Sequence, residues 1–148
     1  MNIYDLDVPT AASVWKALAP LYGPALRYHP HMDVVDLFHL VATGRVQCVV
    51  VVDEGDIQGG AVMEIVEYPS SRVGNVFIVG GKRGFLRRYM RPLMEHLIQW
   101  SIHNGCDTIT GTGRAGWARW MPKHFEDTRV LDPITQYVIP LRPVVRTH

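Results

Sequence analysis

The sequence predicts an α+β fold, a mostly antiparallel mixed sheet flanked by helices with one β-α-β crossover. Three observations predict it. Apolar residues follow helical spacing up to residue 43, β-branched runs separated by turn residues fill 46–79, and a long helical pattern then leads into a further strand. The chain has 148 residues, enough for a sizeable core, and no repeat or low-complexity linker divides it, so one domain over 1–148 is expected.

The elements follow in order. Residues 10–27 (TAASVWKALAPLYGPALR) read as helix with Thr10 as N-cap, and Pro20 and Gly23-Pro24 should kink or split it. Asp33–Thr43 is a second helix, with Val34, Leu37, Phe38 and Val41 on one face and Gly44 closing it. Val46–Asp53 is nearly all apolar and β-branched, a buried strand. Glu54-Gly55-Asp56 turns the chain, Ile57–Glu67 returns, Pro69-Ser70-Ser71 turns it again, and Arg72–Val79 completes an antiparallel meander. A long helix ends at Gly105. Pro92 fits best in its first turn, leaving Lys82–Arg91 as a separate turn or loop, or else it marks a kink. Asp107–Thr110 is a strand parallel to the third, Trp117–His124 is a short helix broken by Pro122, and Ile134–Leu141 is the final strand.

Composition narrows the function classes. Hydrophobic residues make up 47% and charged residues 20%, the balance of an ordinary globular protein. No apolar run approaches the ~18 residues of a membrane span, and the acidic start MNIYDLDVPT lacks a signal's basic region, so a cytoplasmic protein without membrane partners is expected. Cys48 and Cys106 have no metal or redox spacing and read as buried thiols. The net charge is +1 but the signs are segregated. Residues 1–81 hold 4 basic and 9 acidic residues, and residues 82–129 hold 9 basic and 4 acidic. Lys82, Arg83, Arg87, Arg88 and Arg91 fall within ten positions, in a glycine-basic segment between a strand and a helix, a setting that attracts an anion.

Other motifs carry less. Gly111–Gly116 spells GxGxxG between a strand and a helix, but too little chain follows for a dinucleotide domain. His29, His31 and His39 lack a complete ligand set for a metal. Trp100, Trp117 and Trp120 with Arg114 and Arg119 suggest core packing more than nucleic-acid stacking, since no RNA or DNA motif accompanies them.

The element order over about residues 8–141, with the helix ending "QWSIHNGCDTIT" and the following "GWARWMPKHF", resembles the GNAT superfamily of acyl-CoA N-acyltransferases. The resemblance implies an acetyl-CoA-dependent N-acetyltransferase acting on a primary amine, carried by a small molecule or a protein. It implies pantetheine along the backbone of Phe77, Ile78 and Val79. It places the phosphates on Gly80, Gly81, Lys82, Arg83 and Gly84, with Arg88 adjoining. Glu64 or Glu67 would be the general base; three apart on a strand, they point to opposite faces. The family's tyrosine acid falls on Trp120, for which His124 and Tyr137 are the nearest substitutes. Counted back from Gly105, the family's two small loop positions fall on Arg88 and Met90 and its Gln/Arg position on Phe85. Tyr22, Tyr28, His29 and Met32 would shape the acceptor side. The sequence is also similar to small GNAT-like proteins of tailed phages. The alternative is therefore a non-catalytic GNAT-fold protein, used in virion structure, assembly or binding to a phage or host protein. The final strand and tail offer an edge for a homodimer.

Overall fold

The computed structural model describes residues 1–29, 31–112, 115–126, 129–131 and 136–141. Seven strands form one hydrogen-bonded order, β1-β2-β3-β4-β5-β7-β6. They are β1 (Asn2–Leu6), β2 (Gln47–Asp53), β3 (Asp56–Tyr68), β4 (Ser71–Gly81), β5 (Thr108–Thr112), β6 (Arg129–Leu131) and β7 (Gln136–Pro140). The helices are α1 (Val8–Ser13), α2 (Trp15–Tyr22), α3 (Val34–Ala42), α4 (Phe85–His103) and α5 (Ala115–His124), with a 3-10 helix at Gly23–Tyr28. The chain is thus α+β with a mixed sheet, and α4 makes the crossover between the parallel strands β4 and β5. It forms two compact units, Met1–Glu64 with Phe77–Met94, and Ile65–Val76 with Glu95–His148.

The first unit starts with two departures from the sequence reading. Asn2–Leu6 is an edge strand antiparallel to β2, running Asn2↔Val52 to Leu6↔Cys48. The first helix then begins at Val8, and its N-cap is Asp7 rather than Thr10. The Asp7 carboxylate accepts the Thr10 N–H at 2.8 Å, and the Thr10 side chain first and this N–H second hold its pKa below the usual carboxylate value. The chain breaks at Val14, and again where Gly23-Pro24 opens the 3-10 turn. Asp33 and Asp36 cap α3 reciprocally, and Gly44 leaves it at φ 73°. Leu18, Tyr22, Leu37 and Val41 from these helices bury against Cys48 and Val50 of β2, Val62 of β3 and Ile78 of β4. The β2–β3 turn places Glu54 at φ 55° and Gly55 at φ 73°, a type I′ pair that closes the hairpin at Asp53↔Asp56.

The start of α4 also differs. Pro92 does not open the helix; it sits inside, and the helix begins seven residues earlier, at Phe85. An internal proline costs roughly 3 kcal/mol. Phe85, Tyr89, Met90, Leu93 and Met94 repeat at helical spacing and are all buried, and each such burial stabilises by about 1.5–3 kcal/mol, so the apolar stripe outweighs the proline.

In the second unit, β5 pairs parallel to β4 from Val73↔Thr108 to Val76↔Gly111, and antiparallel to β7 from Thr108↔Pro140 to Thr112↔Gln136. The strand β6 is shorter than the sequence pattern registers and pairs with β7. Asp107 anchors the end of the crossover: its carboxylate accepts the Arg72 N–H at 3.0 Å while its own N–H donates to the Arg72 carbonyl at 2.7 Å. Leu97, Cys106, Ile109, Met121 and Ile139 are buried in this unit. No described helix is long and apolar enough to cross a membrane.

Candidate functional site

The basic segment that stands out in the sequence lies entirely in the first unit. Gly80 and Gly81 end β4, Lys82–Gly84 form a three-residue loop, and α4 starts at Phe85. The Lys82 N–H donates to the Gln58 carbonyl at 2.9 Å, which fixes the loop's entry. The Gly84 carbonyl accepts from Arg88 N–H at 3.2 Å, which makes Gly84 the helix N-cap, and its φ of 83° explains the glycine. The positive end of α4 therefore follows the loop directly. Its first turn contains no acid. Arg83, Arg87 and Arg88 cluster there instead, all exposed.

The two strand glycines have packing reasons of their own. A Cβ on Gly80 would lie 2.2 Å from the Leu21 carbonyl oxygen, so α2 crosses the strand there at backbone contact. A Cβ on Gly81 would lie 2.3 Å from the Phe85 ring, which folds back onto the strand and also closes on Gly59. Phe85 thus packs against both Gly59 and Gly81.

Four of the five cations, Arg91 apart, divide into two pairs. The β2–β3 turn grips two of them: Lys82 Nζ pairs with Asp56, and Arg88 lies 3.3 Å from Glu54 and 3.9 Å from Asp53. The Tyr89 hydroxyl donates to Asp53 at 2.8 Å and is the main cause of that carboxyl's lowered pKa, and the Lys82 ammonium lowers that of Asp56. Glu54 raises the Arg88 pKa. Arg83 and Arg87 make no ion pair with the described residues. The sequence contained this signal, since the acids of DEGD and the cations Lys82 and Arg88 are both visible in it, but their pairing follows only from the fold.

The remaining candidates are distributed as follows. Ile78 is buried in the first unit's core, and Phe77 and Val79 are half-buried. Phe77 stacks on His29, centroids 5.0 Å apart and planes at 29°. Tyr22 is fully buried, with its hydroxyl 3.5 Å from Cys48 Sγ, so it belongs to the core and not to an acceptor lining; burial pushes its pKa well up. The Tyr28 side chain lies outside the described residues. Glu64 is half-buried at the end of the first unit's part of β3. Glu67, in the second unit, is exposed and ion-paired with Arg72. Also in the second unit, His124 stacks on Trp120 at 4.0 Å and its Nδ1 lies 2.9 Å from the Trp120 carbonyl oxygen. Tyr137 is on β7, paired with Gly111; its side chain, like that of Trp117, lies outside the described residues.

No protein-family model and no curated protein sequence matches the chain. Solved structures do match it by fold. Aminoglycoside 6'-acetyltransferase type Ii superposes with a TM-score of 0.74 at 12% identity, over 98% of this chain and 100% of the other. Agmatine N-acetyltransferase in apo form gives 0.68 at 15% identity, over 95% and 99%. The IAA acetyltransferase of Bacillus cereus gives 0.60 at 12% identity, over 95% and 99%. The loop-helix junction at Lys82–Phe85 accordingly sits in a chain that has the fold of the GNAT acetyltransferases.

Proposed function

We propose that the protein transfers an acetyl group from acetyl-CoA to a primary amine. The observation that carries this reading is the start of α4. Helix N-termini favour acids in the first turn, yet here two arginines unpaired among the described residues, Arg83 and Arg87, flank the positive end of the helix. An anion is the partner that such a junction favours. The N–H groups of Leu86 and Arg87, which have no intrahelical acceptors, and the guanidinium groups would hold the pyrophosphate, while the Phe85 N–H is taken by the Lys82 carbonyl at 2.9 Å. The backbone of Phe77–Val79 would run beside the pantetheine. Acetyl-CoA supplies the thioester carbonyl that the amine attacks. The fold neighbours' activities support the same class of reaction.

Calorimetric titration with acetyl-CoA and with desulfo-CoA tests the reading. Micromolar binding of both, weakened by Arg83→Glu, is the expected result. Silence from both at millimolar concentration sinks it.

A second reading is favoured by a specific observation. Gly80 and Gly81 are both filled by packing, and Arg88 is taken up by Glu54 and Asp53. A non-catalytic GNAT-fold protein with an assembly or binding role, as in a phage particle, would have just such a loop. Silence in both titrations would favour it, and a protein partner would then be sought.

A further inference from the structure

We propose that His29 is the base that takes the proton from the acceptor amine, an inference that rests on the acetyltransfer reading. Neither Glu64 nor Glu67 need be that base. Glu67 is exposed and committed to Arg72. His29, by contrast, is held in place with its chemistry unused. It terminates the 3-10 helix, where its N–H donates to the Leu26 carbonyl at 2.8 Å and its carbonyl accepts from Met32 N–H at 3.1 Å. Its ring lies half-buried on Phe77, centroids 5.0 Å apart, and neither ring nitrogen has a hydrogen-bond partner among the described residues. An imidazole fixed by its backbone and by one face, with both ring nitrogens left without a hydrogen bond among the described residues, can serve as a proton acceptor.

Phe77 is the first of the three residues that the proposed function sets beside the pantetheine, so the His29 ring stacked on it lies next to that strand. The charged or titratable groups nearest in sequence on its own segment are Arg27 and His31. From β4, the neighbours Val76, Phe77 and Ile78 bring no charge.

The step balances without a further reactant. The acceptor arrives as an ammonium ion and one ring nitrogen of His29 takes its proton. The amine lone pair forms the C–N bond to the thioester carbonyl carbon, the C–S bond breaks, and the thiolate leaves with the second amine proton. The products are the amide, the free thiol and a protonated His29 that returns its proton to water.

The test uses the full chain with His29→Phe, which keeps an aromatic ring on Phe77, and His29→Gly. Three things are measured: acetyl-CoA binding by calorimetry, the pH profile of kcat/KM with n-butylamine, and the ring resonances of His29 during n-butylamine titration with desulfo-CoA present. The expected result is unchanged acetyl-CoA affinity in His29→Phe. With it should come a loss of about 10²- to 10⁴-fold in kcat/KM and a change in the shape of its pH profile. Added imidazole should restore part of the His29→Gly rate, and the His29 resonances should move with the amine. A His29→Phe enzyme that binds acetyl-CoA and acetylates at the wild-type rate overturns the assignment and leaves the acetyltransfer reading standing. A wild-type protein that does not bind acetyl-CoA removes both.

Discussion

Replacing Gly80 with alanine tests whether the glycines before α4 serve the fold. The added Cβ would lie 2.2 Å from the Leu21 carbonyl oxygen, 2.9 Å from its carbon and 3.1 Å from the Tyr22 Cα. Ordinary contact begins near 3.4 Å, so α2 would have to retreat by about 1.2 Å. Every obstructing atom is backbone, so no rotamer change relieves the clash. Tyr22, on the same turn, is anchored at 0% exposure in the core. Overpacking of this kind costs about 1–3 kcal/mol or more, and alanine returns only about 0.5–1 kcal/mol through the unfolded chain. A backbone clash falls at the upper end of that range, about 3 kcal/mol, so the net loss is about 2 kcal/mol, or roughly 4–8 °C in Tm for a chain of this size. Thermal unfolding followed by circular dichroism reads it directly. Gly84→Ala is the companion variant. Its Cβ meets nothing within 4 Å, so only the positive φ is penalised, by about 1–2 kcal/mol, and Gly84→Asn should recover part of it. A Gly80→Ala Tm within about 2 °C of wild type would refute the packing account and return Gly80 to a ligand-binding role.

Ser101→Ala should raise stability by about 1 kcal/mol, because the Ser101 hydroxyl is fully buried with no partner among the described residues. Destabilisation in urea unfolding would instead show that this hydroxyl is hydrogen-bonded in solution. Asp33→Asn tests the α3 cap by pH. The Asp36 backbone N–H lowers the Asp33 pKa, so its contribution is present above the unfolded value of 3.8 and is lost as pH falls through the lower folded value. Asparagine caps without titrating, so the variant should match wild-type Tm at neutral pH and lose less Tm in acid below about pH 4; equal acid losses would count against the cap. Glu54→Gln should loosen Arg88, leaving only Asp53 at 3.9 Å, and raise acetyl-CoA affinity in calorimetry at low salt, the gain fading at high salt. No gain at low salt would mean that the turn does not compete for the arginine.

Much of the fold was legible because hydrophobic period reports burial. The run VQCVVVVD, the Glu54-Gly55 turn and the capped α3 all appear where their patterns place them. The elements that escaped have weak local signals. β1 is an edge strand with one paired side and an exposed Tyr4, so it shows little apolar alternation. Pro92 misplaced the start of α4, since a local rule about proline was overridden by packing several residues away. At the candidate site, the sequence revealed the cluster of cations but not its partition. Lys82 and Arg88 reach acids 26 and 34 residues away, which only the fold brings near. The His29–Phe77 stack is equally non-local, and no motif announces it.

The two readings of the loop predict opposite behaviour from one substitution. Arg87 lies in the first turn of α4, exposed, beside Arg88 and close to Arg83, where both the helix dipole and its neighbours disfavour a cation. A chain that merely keeps the fold has no physical reason to retain it, whereas a resident anion offsets the repulsion. Arg87→Glu therefore separates stability from binding. The acid complements the positive helix end and can pair with Arg83 or Arg91 one turn away, so Tm should rise slightly in the ligand-free protein. Acetyl-CoA affinity should fall by at least tenfold, because a cation becomes a charge of the phosphate's own sign, and the loss should shrink as salt screens it. Calorimetry and a melt on one preparation give both quantities. Opposite signs mean that the junction trades helix stability for an anion. A rise in Tm with unchanged affinity means that the arginines are a surface face, and that the anion, if it binds at all, is held elsewhere.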